Sequence, residues 1–386
     1  MSDSETAPRR AWLSSLRLTD FRNYVTLSLT LDERPVVLTG PNGAGKTNLL
    51  EAISFLSPGR GLRRAALADV ARNGGPGTWA VAATVRTPSG ANDIGTGIAL
   101  GPEGPESQRQ VRVNRAPAHG SDALLEYLRV VWLVPAMDGL FAGPASDRRR
   151  FLDRATLAID RQHGRRVNAF ERAMRGRNRL LAEGSDDARW FAAIEAEMAE
   201  LAVAVAAARR ECVSLLSREI AAAADATPTF PPAAIALAGT LEESLAAGSA
   251  TAAEDEYRRA LAESRRADRA AGRTLVGPHL TDLRVRHAPR NADAATCSTG
   301  EQKALLIGLV LAQARLAARL SGETPLVLLD EVAAHLDETR RDALFAALLA
   351  QNCQAFLTGT DAAIFAPFGN AAQRLAVSDG TVVRTA

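Results

Sequence analysis

Three short stretches of this chain carry residues whose types and spacing suit one chemistry. Gly40-Pro-Asn-Gly-Ala-Gly-Lys46-Thr47 follows the apolar run PVVLT and precedes NLLEAISFL. The pattern G-x-x-x-x-G-K-[ST] between a strand and a helix is the setting of a phosphate-cradling P-loop. Glycines let backbone amides turn toward phosphate oxygens, and the helix N-terminus adds partial positive charge. Lys46 sets a compact ammonium against the phosphates, and the Thr47 hydroxyl is suited to bind Mg2+. The expected ATP-binding residues are therefore Gly40, Pro41, Asn42, Gly43, Ala44, Gly45, Lys46, Thr47 and Asn48.

The second stretch is Pro325-Leu-Val-Leu-Leu-Asp330-Glu331. Four apolar residues read as a buried strand, and ligands of open α/β sheets bind at that strand end. Asp330 is expected to hold Mg2+ with Thr47, through water. Glu331 is the expected general base that polarises the attacking water, with Lys46 as its catalytic companion. The third stretch, Ser298-Thr-Gly-Glu-Gln302-Lys303, lies one helix ahead of that strand. It resembles the signature loop of ABC-type ATPases. That resemblance implies that Ser298, Thr299, Gly300, Glu301 and Gln302 act in trans, on the γ-phosphate of a nucleotide held by another copy. Two heads would then sandwich two ATPs.

The elements that must position these residues are visible in the composition. The chain has 386 residues, 47% hydrophobic and 23% charged, a globular balance with room for two or three domains. Its 46 Lys+Arg against 44 Asp+Glu leave a net charge of +2, which excludes a wholly basic nucleic-acid binder but not a local patch. Only two of the basic residues are lysines, Lys46 and Lys303. A point-like ammonium suits Lys46 among phosphates, whereas Lys303 reads as a survivor of an arginine-rich composition. No apolar run approaches the ~18 residues of a membrane span. The start, MSDSETAPRR, reads as a frayed tail over residues 1–10 and not as a secretory signal. Cys212, Cys297 and Cys353 have no metal-like spacing, which fits a cytoplasmic protein without disulfides.

Residues 11–139 alternate short apolar runs with turns, residues 140–274 are rich in Ala, Arg, Glu and Leu at helical spacing, and the strand-helix alternation returns over 275–386. The expected fold is α/β: an ABC-type P-loop ATPase head in two parts, 11–139 and 275–386, with a mainly helical second domain inserted at 140–274. The insert is too short for a long coiled-coil arm. Trp12, Trp79, Trp132 and Trp190 read as packing residues.

At this level the chain resembles the RecF family of bacterial recombination-repair ATPases. The resemblance rests on Leu16-Arg-Leu-Thr-Asp-Phe-Arg-Asn-Tyr24, on Gly40–Thr47 running into Asn48-Leu-Leu-Glu-Ala-Ile-Ser-Phe-Leu-Ser-Pro-Gly-Arg60, on Arg148-Arg-Arg-Phe-Leu-Asp153 and on Leu275-Val-Gly-Pro-His279. It implies ATP-dependent dimerisation, weak DNA-dependent hydrolysis, binding at single-strand gaps or single/double-strand junctions, an SOS-linked role, and RecR and RecO as partners in loading RecA. Two transporter features are missing. Asp138 is the nearest polar residue where a transporter ATPase has glutamine, and Gly359-Thr-Asp361 stands where it has histidine. A stand-alone head of the chromosome-maintenance group is the nearer alternative. Leu280 departs from the family's usual arginine. From Arg148 to Arg179 there are 11 arginines and 3 acids, a net of 11 − 3 = +8. Arg148, Arg149, Arg150, Arg165 and Arg166 are candidates for DNA phosphates. Arg60, Arg63 and Arg64 are candidates for DNA or ATP. Ordinary solvation and pairing with acids is the other reading of all eight.

Overall fold

The computed structural model describes residues 8–102, 104–185, 187–223 and 229–385. The tail expectation for residues 1–7 lies outside the described residues. The chain divides into two compact units, one built mainly from the residues up to Asp138 and from Thr299 onward, the other from Gly139–Ala222 and Pro231–Ser298.

In the first unit, five strands run parallel in the order Val130–Leu133, Leu326–Leu329, Ala355–Gly359, Val36–Thr39 and Gln373–Ser378, and Thr381–Thr385 closes the edge antiparallel. Three of them, Val130–Leu133, Leu326–Leu329 and Ala355–Gly359, are buried at every position, as a sheet covered on both faces requires. Parallel pairing brings the ends of Val36–Thr39, Leu326–Leu329 and Ala355–Gly359 to one edge. A second, antiparallel sheet includes Tyr24–Thr30, Trp12–Phe21, Trp79–Thr87 and Gly90–Ile98. The helix Lys46–Ser54 belongs to one core with residues of both sheets. Phe21, Phe55 and Trp79 pack ring against ring there, at 4.8 to 6.0 Å between centroids. The helix Thr299–Ser321 is long and apolar enough to cross a membrane by length and composition, but 72% of its most apolar window is buried inside the chain.

The second unit holds helices Ala145–Thr156, His163–Ala182, Ala188–Ala223, Thr240–Ala247 and Ala250–Ala271. The chain leaves the helix at 157–162, between Ala145–Thr156 and His163–Ala182, and the longest helix spans about 54 Å at 1.5 Å per residue. One boundary moves. The strand Asp282–His287 pairs along its whole length with Ala233–Ala238, which sequence reading left unassigned inside the helical zone. Residues 275–298 therefore pack with the second unit and not with the head. Trp190 is also a correction: it is 66% exposed, while Trp79 and Trp132 are buried.

Buried arginines organise the second unit. Arg177 has no exposed side-chain surface and donates to Glu195 Oε1 at 3.0 Å, Asp268 Oδ2 at 2.6 Å, Thr274 Oγ1 at 3.0 Å and the Leu261 carbonyl at 2.6 Å. It thereby joins three helices and the segment after the third. Arg177→Ala leaves two buried carboxylates without their shared partner and should cost about 3–5 kcal/mol. Chemical denaturation checks this; a loss below about 1 kcal/mol contradicts the assigned role.

Candidate nucleotide site

The strand Val36–Thr39 delivers the chain into the Gly40–Gly45 loop, and the helix begins at Lys46. Two glycines are required here by geometry. Gly40 has φ 153°, and a Cβ on it would lie 2.1 Å from the Val377 carbonyl oxygen. Gly45 has φ 114°, and a Cβ there would meet the Asn23 amide at 2.6 Å and the Tyr24 hydroxyl at 2.8 Å. Tyr24 donates to the Gly45 carbonyl at 3.0 Å, and Asn23 donates to the Ala44 carbonyl at 3.1 Å. The turn after the first strand thus braces the loop from outside.

Lys46 is buried, and its ammonium donates to the carbonyls of Gly40 at 2.7 Å and Pro41 at 2.9 Å. Burial holds its pKa below the usual lysine value, opposed by the charges of Glu331 and Asp330. The ammonium therefore sits in the field of both acids at the strand end. Asp330, 5% exposed, accepts from Thr47 Oγ1 at 2.9 and 3.0 Å and from Thr358 Oγ1 at 2.8 Å. Thr358 in turn accepts from the Glu331 backbone N–H at 2.8 Å. Glu331 adopts φ 53°, a left-handed conformation that a residue with a side chain rarely takes, and this bond helps hold it there. Sequence reading missed Thr358. It sits near the end of Ala355–Gly359, between the P-loop strand and the acidic strand, and only the strand order gives it a role.

Two arginines hold the base of the P-loop helix. The fully buried Glu51 accepts from Arg22 at 2.7 and 2.8 Å and from Arg63 at 3.0 Å; Arg63 also reaches Asn48 Oδ1 at 2.5 Å. At the other end, Arg109 donates to the carbonyls of Phe55, Ser57 and Gly59 and lies 5.2 Å over the Phe55 ring. A guanidinium on the last carbonyls of a helix satisfies acceptors that the helix leaves open and opposes its dipole. Burial pushes the Arg109 pKa down to about 10.

The third motif begins a helix at Thr299, with Ser298, Thr299 and Gly300 exposed and Glu301 and Gln302 half-buried. Lys303 and Asp138, which sequence reading treated separately, form an ion pair at 3.4 Å, with the Lys303 side chain 12% exposed. Asp138 follows the strand Val130–Leu133, whose Leu133 carbonyl accepts from the Asp330 N–H at 2.9 Å. A short path of bonded groups and chain thus runs from Asp330 to the first turn of the signature helix. Asp361 takes no part in it; its carboxylate caps the following turn through the Ala363 N–H at 2.8 Å.

The proposed DNA arginines do not stay together. Arg148 is clamped by Asp282 at 2.7 and 3.0 Å and by the carbonyls of Leu140, Phe141 and Gly143. Arg149 donates to the Thr281 carbonyl at 2.8 Å, Arg150 pairs with Asp147 and Arg166 with Asp160. Arg148 and Arg149 tie the helix Ala145–Thr156 to residues 281 and 282, Arg150 and Arg166 make local pairs, and Arg63 serves the P-loop helix. Arg60, Arg64 and Arg165 are exposed, as is Leu280.

A family model described as the RecF/RecN/SMC N terminal domain matches residues 12–380. The chain is 58% identical to the DNA replication and repair protein RecF of Mesorhizobium japonicum, over 97% of this chain and 98% of that protein. It is 54% identical to the RecF of Rhizobium meliloti, over 97% and 99%. Among solved structures, the recombination mediator protein RecF-ATPrS in the RecFOR pathway superposes with a TM-score of 0.85 at 21% identity, over 98% of this chain and 100% of that one. A Pyrococcus furiosus Smc head domain with an extended coiled coil gives 0.54 at 16% identity, over 97% and 96%. These structural likenesses establish the fold: an ABC-type ATPase head.

The Lys303–Asp138 pair makes a measurable claim. A double-mutant cycle with Lys303→Ala and Asp138→Ala, read by chemical denaturation, should give a coupling of about 0.5–1 kcal/mol, since Asp138 is half exposed. Additive losses would remove the link.

Proposed function

The chain belongs to the RecF family of DNA replication and repair proteins, and on that premise we propose that it is an ATP-driven DNA clamp of recombinational repair. The observation that carries this reading is the meeting of Thr47 and Asp330 at 2.9 Å across 283 residues of sequence. A hydroxyl and a carboxylate beside a buried ammonium make a site of hard oxygen donors for a divalent cation and an electropositive seat for phosphate.

The residues present fit Mg2+. Thr47 and Asp330 would hold it, and the ion would supply neutralisation of phosphate charge when bound. Lys46 exchanges its bonds to the Gly40 and Pro41 carbonyls for phosphate oxygens, so the ammonium gives up loop acceptors for charged ones. The amides of Gly43 to Asn48 point the helix N-terminus at the same group. Glu331, fixed through Thr358, accepts a proton from the water that attacks the γ-phosphorus; the products are ADP and inorganic phosphate. Ser298 to Gln302 complete the site of a second copy, which makes the ATP-bound species a homodimer and hydrolysis its release. Turnover is weak and rises with DNA.

Gapped DNA and single/double-strand junctions are the proposed nucleic-acid partners, RecR and RecO the protein partners, and RecA the protein loaded through them in the cytoplasm, as part of replication-linked and SOS-linked repair. The RecF relatives of high identity support the repair role, and the RecF-ATPrS structure of the RecFOR pathway supports the nucleotide and the pathway.

Glu331→Gln retains the backbone and removes the base. With ATP and Mg2+ it should accumulate as a dimer by light scattering, and adding Lys46→Arg should return it to monomer. A Glu331→Gln protein that stays monomeric with ATP contradicts the sandwich.

A further inference from the structure

The helix His163–Ala182 carries a charge pattern that its neighbours lack. It buries Phe170, Ala173, Arg177 and Leu181, and exposes Arg165, Asn168, Glu171, Arg172, Arg175 and Arg179. The exposed positions recur every three or four residues, so they form one stripe along the helix. From Arg165 to Arg179 the stripe is about 21 Å long at 1.5 Å per residue. Its acid, Glu171, lies 3.6 Å from Arg175.

A helix face that only meets water mixes its signs, and the two long neighbours do. On Ala250–Ala271 the exposed charges are Asp255, Glu256, Arg258, Arg259, Glu263, Arg266 and Arg269. On Ala188–Ala223 they are Arg189, Glu197, Glu200, Glu211 and Arg218. The arginine-rich composition of the chain acts on all three helices, so it does not account for four arginines against one acid on the first. The buried acids of the unit are met by other arginines: Arg148 on Asp282, Arg177 on Glu195 and Asp268, and Arg209 on Asp153.

We propose that the stripe Arg165, Arg172, Arg175 and Arg179 is a track for the sugar–phosphate backbone of DNA. The inference rests on the DNA-binding reading above and gives that reading a surface. Guanidinium forks bond phosphate oxygens in pairs, which suits a run of arginines to a run of phosphates. A length of about 21 Å covers about six base-pair steps, so two to four phosphates of one strand come within reach. The stripe presents no base-reading geometry, so binding is indifferent to sequence and falls steeply with salt. Glu171 works against it.

The full-length protein with ATP and Mg2+ is titrated against a fluorescent gapped duplex over a range of salt, by anisotropy. Changing Arg165, Arg172, Arg175 and Arg179 together to Gln should weaken binding at least about tenfold and flatten the slope of log K against log salt by about 2–3. The same four positions changed to Lys should lose clearly less than the Gln variant, because backbone phosphate also accepts a point charge, though without the paired bonds of a guanidinium. Changing Arg258, Arg259, Arg266 and Arg269 to Gln removes equal charge from the neighbouring helix and should stay within about threefold of the unaltered protein. Glu171→Gln, a mild surface change, should tighten binding about threefold, and it decides the matter if the fourfold Gln variant fails to fold. Unchanged affinity and slope in the stripe variant, an equal loss in the neighbouring-helix variant, or no tightening by Glu171→Gln overturns the track while leaving DNA binding itself standing. An unaltered protein that binds no DNA at any salt overturns both.

Discussion

A carboxylate buried at the end of a parallel strand is the constraint on which the head is built. Asp330 is 5% exposed, and an ionised carboxylate so placed is costly unless donors surround it. The donors are Thr47 at the start of the P-loop helix and Thr358 on the strand between. That arrangement requires Leu326–Leu329, Ala355–Gly359 and Val36–Thr39 to be parallel neighbours in that order, because any other order separates the two threonines. The same network fixes Glu331 in its left-handed conformation and sets two acids facing Lys46. Fold and site are therefore one requirement: the sheet order that satisfies the buried acid also brings Thr47, Asp330 and Glu331 beside Lys46.

Much of this could be read from the chain before its structure. The P-loop, the acidic strand end and the signature helix each lie within a dozen residues, and their flanking elements appear where hydrophobic pattern puts them. Asp337, whose side chain accepts from the Arg340 N–H, begins a helix within the strand-helix alternation, and the 36-residue helix lies within the zone of helical spacing. What escaped notice depends on distant pairings. Thr358 is an ordinary strand threonine until the strand order sets it beside Asp330. Arg109 lies 54 residues from Phe55, to whose carbonyl it donates. Ala233–Ala238 reads AAIALA, a composition as suited to helix as to strand, and only its pairing with Asp282–His287 decides the matter.

The arginines show the same division. A local excess over 148–179 looked like a single basic surface, but the helix period and long-range acids split it. Arg148 and Arg177 turn inward to Asp282, Glu195 and Asp268; Arg165, Arg172, Arg175 and Arg179 turn outward. Removing one member of such a buried network leaves charges stranded, so these inward arginines favour one arrangement of the helices over others. The two lysines also part company. Lys46 sets a compact ammonium on the loop carbonyls of Gly40 and Pro41, whereas Lys303 gains its meaning from Asp138, a residue 165 positions away.

The central claim is that Thr47 and Asp330 together form the metal seat beside the phosphate cradle. Mn2+ in place of Mg2+, followed by electron paramagnetic resonance in the presence of ATP, tests it without relying on turnover. The account predicts one bound Mn2+ per chain with resolved coupling to nucleotide phosphorus, lost or weakened at least about tenfold by Thr47→Val and by Asp330→Asn while the fold is retained. Unchanged Mn2+ affinity and phosphorus coupling in both variants would contradict it.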